Sequence, residues 1–300
     1  MGPSLRGGGV ALDEVFVEGI HLPTDRAWAG GAAEVPVDGG GLLPPLGNAS
    51  ELPSFAELFE QCSRRWADSS AVDDGTLRMT YFELERETSL LARAIQAVGG
   101  SPESPIAVLT DVAAAAVIAL VSVVRSGRPI VILDRAVPVA RLQLILRLSG
   151  ATDLISDDAS RELADKVADN RLPVRTLAGL RSTPGLPTEL QPVDPGALAA
   201  IIFTSGSSGQ PKGVMWSQRF LASEPFCTGQ RIGYGPGEDL ALLLPISFAW
   251  GLAMAVVGLS RGACLHVADP RRLDTGSLVD WLRRERVTVL PMTCRPPMSR

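Results

Sequence analysis

Within ten residues, Thr204-Ser205-Gly206-Ser207-Ser208-Gly209-Gln210-Pro211-Lys212-Gly213, the chain gathers four hydroxyls, three glycines and one lysine. Phosphate oxygens ask for many donors converging on a small volume. Glycines let backbone N–H groups come close, hydroxyls add donors, and a lysine supplies a point charge. The lysine is a selective choice in this chain, whose only lysines are Lys166 and Lys212 among 28 cationic residues. The spacing from Gly206 to Lys212 equals that of a Walker A loop. However, Pro211 stands where its second glycine should be, and Gly213 where its magnesium-binding hydroxyl should be, which argues against an ordinary P-loop NTPase. A second stretch with chemical character is Phe248-Ala249-Trp250-Gly251, an aromatic-flanked turn after the apolar run 240–244. It can shape a pocket for an organic group or simply fill core.

These residues need elements to hold them. The apolar run 199–203 should be a strand that feeds the hydroxyl-rich loop directly. Upstream, the helical spacing of Phe55, Leu58, Phe59 and Cys62 predicts an amphipathic helix. A second helix over 81–98 starts at a capping box formed by Thr80 and Glu83 and stops at Gly99-Gly100. Strands at 106–109, 129–133, 153–156 and 173–177 alternate with helices at 113–124, 141–148 and 162–168, which implies a parallel α/β arrangement. A proline-rich connector fills 183–195. The run 240–259 is uncharged, yet Pro245, Ser247 and Gly251 divide it into a strand and a buried helix, so no membrane span is expected. Residues 1–50, with glycine clusters and scattered prolines, read as a flexible leader.

At Phe203 to Gly213 the chain resembles the phosphate-loop signature of the adenylate-forming superfamily of acyl-CoA synthetases, luciferases and nonribosomal peptide synthetase adenylation domains. Thr80-Tyr81 with Glu83-Leu84, Arg125-Ser126-Gly127 with 129–134, Pro138, Arg141, Pro245 to Phe248 and the presumptive strand 285–290 resemble further family segments. The resemblance covers about residues 50–300. It implies an α/β fold with mainly parallel sheets and flanking helices, with 51–300 an incomplete N-terminal AMP-binding domain. The family's adenine- and ribose-binding motifs and its smaller C-terminal domain are not found in the sequence. The implied reaction is ATP- and Mg2+-dependent activation of a carboxylic acid as an acyl-adenylate, then transfer to the thiol of coenzyme A or a phosphopantetheine arm. Thr204, Ser205, Gly206, Ser207, Ser208, Gly209, Lys212 and Gly213 would hold the nucleotide phosphates, with Lys212 catalytic. Phe248, Ala249, Trp250 and Gly251 would form the acid pocket. Relatives that activate α-amino acids carry an aspartate where this chain has Ala249, so the implied substrate is an acyl, aryl or keto acid. The implied partners are a carrier protein or a complementing C-terminal half. The alternative is a noncatalytic fragment that binds nucleotide phosphates or a partner.

Bulk properties agree with a soluble enzyme and narrow the rest. The formal charge is −5, with 46% hydrophobic and 20% charged residues, a balance that provides a core but no basic face for nucleic acid. Four cysteines without a C-x-x-C pair, and only His21 and His266, give no zinc-binding pattern. His266 reads as a satisfied core residue, Arg271-Arg272 and Arg283-Arg284 as solvated helix faces. The N-terminus lacks the layout of a secretory signal, which points to the cytoplasm.

Overall fold

In the computed structural model, residues 52–111, 113–205, 211–228 and 235–291 are described. They belong to one compact unit, Leu42–Pro291. The leader expected over residues 1–50 lies outside the described residues.

The chain enters through helix α1 (Phe55–Arg65) and a short hairpin of β1 (Ser70–Asp73) and β2 (Arg78–Thr80). It continues through α2 (Tyr81–Ala97), β3 (Ile106–Leu109), α3 (Ala114–Arg125), β4 (Ile130–Ile132), α4 (Val139–Ser149), β5 (Asp153–Ser156), α5 (Arg161–Ala168), β6 (Val174–Thr176) and α6 (Leu177–Arg181). Then come β7 (Leu198–Ser205), β8 (Pro211–Ser217), α7 (Gln218–Cys227), β9 (Asp239–Leu242), α8 (Ala249–Ser260), β10 (Cys264–Val267) and α9 (Thr275–Arg284). No described helix is long and apolar enough to cross a membrane.

The strands sort into two sheets. One has four strands in the order β2-β1-β10-β9, the other six in the order β6-β5-β3-β4-β7-β8. Both are mainly parallel, with the β1–β2 and β7–β8 pairs antiparallel. The sequence predicted most of these elements but missed the β1–β2 hairpin, β8, β10, α6 and α7. The strand expected at 285–290 is reduced to a single parallel bridge, Leu240 with Val289.

Alternation along the strands explains the layering. Ile106 and Val108 of β3 join a large core with Leu84, Leu91, Val117, Leu120, Leu252 and Leu265. Ala107 and Leu109, on the opposite face, pack with Leu142, Leu146 and Val167 of α4 and α5. Strands buried on both faces must be apolar throughout. The helices between the sheets follow the same rule: α3 and α8 are buried nearly all round, which is why they read as uniform apolar runs.

The polar anchors are local. The predicted capping box is present: Thr80 Oγ1 accepts from the Glu83 backbone N–H at 3.2 Å, and Glu83 Oε2 accepts from the Thr80 N–H at 2.8 Å. A second box, Ser54 with Glu57, starts α1. Two buried arginines tie elements together, one joining α3 to α2 and the other joining the loop before β4 to β5. Arg125 pairs with Glu85 at 3.0 Å and Arg128 with Asp153 at 3.1 Å.

Candidate active site

The hydroxyl-rich segment is held by a β-hairpin. In the antiparallel β7–β8 pair, Phe203 stands opposite Gly213, Thr204 opposite Lys212 and Ser205 opposite Pro211. Thr204 Oγ1 donates to the Lys212 carbonyl at 3.5 Å, and both side chains are exposed. Because β7 runs parallel to β4 and β4 to β3, Thr204 and Ser205 leave the sheet at its C-terminal edge. That edge is where open parallel sheets bind ligands. Gly206, Ser207, Ser208 and Gly209 lie outside the described residues, and Ser205 is described by its backbone alone. Gly213 has a packing reason to be glycine. A Cβ there would stand 3.0 Å from Ile201 Cγ2 and 3.4 Å from Phe203 Cζ on the neighbouring strand.

A cleft of about 70 Å³ opens at the C-terminal ends of strands from both sheets, lined by Asp111 after β3, Asp134 after β4, Ile246 and Ser247 after β9, and Asp269 after β10. Its rim is a chain of ion pairs. Arg272 meets Asp111 at 2.8 Å, Arg135 meets Asp111 at 3.1 Å, and Arg271 meets Asp134 at 3.0 Å and Asp269 at 2.9 Å. The Arg271 side chain and backbone donate to Asp269 and hold its carboxyl below the ordinary range, while bonds to Asp269 and Asp134 raise Arg271. Arg271 and Arg272 are exposed, as the sequence suggested, but they pair with the rim carboxylates instead of standing free on a helix face. They lie in a single 3₁₀ turn whose N-cap, Asp269, turns them toward the cleft. Arg283 and Arg284 do lie in the exposed last turn of α9. The sequence signal for the rim was an aspartate two residues beyond the ends of β3, β4 and β10, but only the sheet order shows which charges meet.

The stretch Phe248 to Gly251 begins α8. Phe248 is its N-cap and is 60% exposed, whereas Ala249 and Trp250 pack against the large core. None of the four lines the cleft, although Pro245 to Ser247 do. At Gly251 a Cβ would stand 2.3 Å from the Pro245 carbonyl oxygen, so this glycine permits the close turn into α8. Ser247 Oγ and Trp250 Nε1 are buried without a hydrogen-bond partner among the described residues.

Burial pushes Cys62 up to about 12, and its thiol donates to the Ser260 carbonyl at 3.2 Å. His266 is buried as expected, but its Nδ1 is unpartnered among the described residues, so the expectation of a fully satisfied histidine fails.

With this geometry in view, the family model for AMP-binding enzyme matches residues 59–296. The chain belongs to the AMP-binding enzyme family. Among curated relatives, Phosphinothricin tripeptide synthetase PhsC of Streptomyces viridochromogenes is 34% identical over 226 residues, 72% of this chain and 20% of that protein. Nonribosomal peptide synthetase ivoA of Emericella nidulans is 30% identical over 223 residues, 73% of this chain and 13% of that protein. Among solved structures, the Klebsiella oxytoca NpsA N-terminal subdomain in complex with 3-hydroxyanthranilyl-AMSN has a TM-score of 0.72 at 24% identity, covering 81% of this chain and 61% of that one. Its complex with 3-hydroxybenzoyl-AMSN has a TM-score of 0.69 at 25% identity, covering 80% and 59%. The chain thus spans a fifth or less of the length of the two synthetases and about three-fifths of the NpsA subdomain. As an AMP-binding family member it has the fold expected from the sequence, the α/β N-terminal subdomain of adenylate-forming enzymes.

Proposed function

We propose that this chain forms the ATP-handling part of an adenylation domain that activates a carboxylic acid. The acid's carboxylate oxygen attacks the α-phosphorus of ATP, pyrophosphate leaves, and an acyl-adenylate remains. The barrier is the approach of two anions. The observation that carries this reading is the β7–β8 hairpin, which presents Thr204 and Lys212 at the C-terminal edge of a mainly parallel sheet, the same edge at which the cleft opens after β3 and β4. Thr204, Ser205, Ser207 and Ser208 would donate hydroxyls to the β- and γ-phosphates, Gly206 and Gly209 would admit the backbone, and Lys212 would neutralise charge as the catalytic cation. Gly213 would serve by packing. Mg2+ keeps several waters and is usually held by substrate phosphates together with one or two carboxylates; residues 204–213 contain no carboxylate, so the loop would meet the ion only through the phosphates it holds. The resemblance to peptide synthetases favours a phosphopantetheine arm on a carrier domain as the thiol acceptor, with coenzyme A as the other possibility.

For the acid, Ala249 supports a substrate without an α-ammonium, because a buried, unpaired ammonium would cost several kcal/mol, of order 3–5. Ser247 Oγ, on the cleft lining and without a hydrogen-bond partner among the described residues, is a buried donor available to a ring hydroxyl. The 3-hydroxybenzoyl complex of NpsA accords with an aryl acid.

ATP–pyrophosphate exchange with a panel of aryl, acyl and amino acids tests this. Lys212→Ala should lose about 10²–10³ in exchange rate, as removal of one transition-state donor does, with acid binding nearly unchanged. Equal losses in both would refute the role of Lys212, and exchange favouring amino acids would refute the aryl-acid assignment. Retained nucleotide binding without exchange would favour a binding-only fragment.

A further inference from the structure

Away from the cleft, three distant segments bring ligand-type atoms together on the outer face of the four-stranded sheet. Leu265 and Val267 point into the core, so Cys264 and His266 face the other way. Asp73 stands in register with His266, and Glu285 reaches them from the end of α9. The donor atoms of Asp73, His266 and Glu285 all lie within 4.8 Å of one another.

The imidazole is poised in a particular way. His266 is 2% exposed, and its Nε2 lies 2.8 Å from Asp239 Oδ1. An ionised carboxylate only accepts, so the Asp239 contact places a proton on Nε2, and in the neutral tautomer with that proton Nδ1 is the nitrogen that offers a lone pair. Nδ1 has no hydrogen-bond partner among the described residues, and faces Glu285 Oε2 at 3.7 Å. That distance is too long for a hydrogen bond. It is close to the separation of about 3.4 Å between two ligands that each lie about 2.1 Å from one tetrahedral ion.

We propose that Asp73, His266 Nδ1 and Glu285 bind one divalent transition-metal ion of the Zn2+, Co2+ or Mn2+ class, with Asp239 orienting the imidazole. A carboxylate–histidine–metal relay is the usual way such a ring is held, and one imidazole with two carboxylates suits these ions. Arg78 and Arg284 now neutralise Asp73 and Glu285, but their side chains are 62% and 67% exposed. They can swing into solvent at little cost. An open groove lined by Gly75, Thr76, Arg78 and Arg284 gives the ion a path in. The alternative trio of Asp239, Cys264 and His266 would require breaking the Asp239 hydrogen bond and ionising a deeply buried thiol. The ion would staple the β1–β2 hairpin, β10 and the end of α9 together. No motif marks the site, because its ligands come from three separate segments.

The test is calorimetric titration of chelator-stripped protein with Zn2+ and Co2+, together with thermal unfolding. One ion should bind per chain, and Tm should rise by about 5–10 °C at an ion concentration about 100 times Kd. Glu285→Gln, whose circular dichroism should match the parent, should abolish binding, as should His266→Gln. Asp239→Ala should weaken it about 10–100-fold with the stoichiometry kept. Cys264→Ser should leave it unchanged, and the Co2+ spectrum should lack a thiolate charge-transfer band. Absence of stoichiometric binding at millimolar ion, or binding that survives in folded Glu285→Gln, overturns the proposal. Loss in Cys264→Ser with a thiolate band also overturns it, by moving the ion to the other side of the ring.

Discussion

Single residues around the candidate site divide into those that present chemistry and those that make room for it, and glycine occurs in both roles. Gly251 belongs to the second. An added Cβ would meet the Pro245 carbonyl oxygen at 2.3 Å and the Leu244 carbonyl oxygen at 2.8 Å, and backbone cannot give way as a flexible side chain can. Gly251→Ala should therefore destabilise the protein by about 1–3 kcal/mol through overpacking, more than the gain of roughly 1 kcal/mol that alanine brings within a helix. Chemical denaturation should show a lower midpoint at unchanged slope. A raised midpoint would mean that the turn from β9 into α8 relaxes freely, and that Phe248 to Gly251 are not fixed by this contact. Gly213 offers a softer comparison, since its neighbours are the side chains of Ile201 and Phe203.

At the scale of elements, the clearest local signal is the start of α2. Thr80 and Glu83 satisfy each other's end-of-helix donors, and α2 carries buried Tyr81, Leu84, Leu91 and Ile95 against the central core. Thr80→Ala should cost about 1 kcal/mol, read as a drop in Tm of about 2–4 °C; no change would mean that tertiary packing alone holds the first turn. Elements of this kind were legible because their causes are neighbours in sequence: caps, glycine stops and apolar periods. The phosphate-loop candidate was legible for the same reason, being ten consecutive residues. Among the missed strands, β8 and the two of the β1–β2 hairpin have a clear physical reason. β8, Pro211 to Ser217, has no apolar alternation because it is an edge strand with four consecutive exposed residues, Lys212 to Met215. The β1–β2 hairpin is short and surrounds an Asp74-Gly75-Thr76 turn held by the Asp74 side chain, which a search for longer runs passes over.

At the scale of the molecule, local pattern could not show that the strands form two sheets, because β1 pairs with β10 across most of the chain, Val72 against Leu265. For the same reason the cleft rim was misread. Arg271 and Arg272 follow β10 of one sheet, while Asp134 and Asp111 follow β4 and β3 of the other, so these pairs bridge the sheets at the mouth of the candidate site. Arg271 is 41% and Arg272 60% exposed, so each pair should contribute little to stability, about 0.2–1 kcal/mol, and less as salt rises. A double-mutant cycle with Arg271→Gln and Asp134→Asn should return a coupling in that range that shrinks between low and high ionic strength; a larger, salt-independent value would mean the pair is effectively dry. Asp269 adds a sign to the pH dependence. Its carboxyl is lowered in the folded state by Arg271, so the folded protein holds fewer protons than the unfolded chain. Its stabilising contribution is complete above the ordinary aspartate value of 3.8 and fades as pH falls below it. Replacing Asp269 with asparagine should flatten that acid limb of the stability curve and leave the neutral region with the loss of one charge-assisted contact. An unchanged acid limb would show that the rim arginines are held by Asp111 and Asp134 alone.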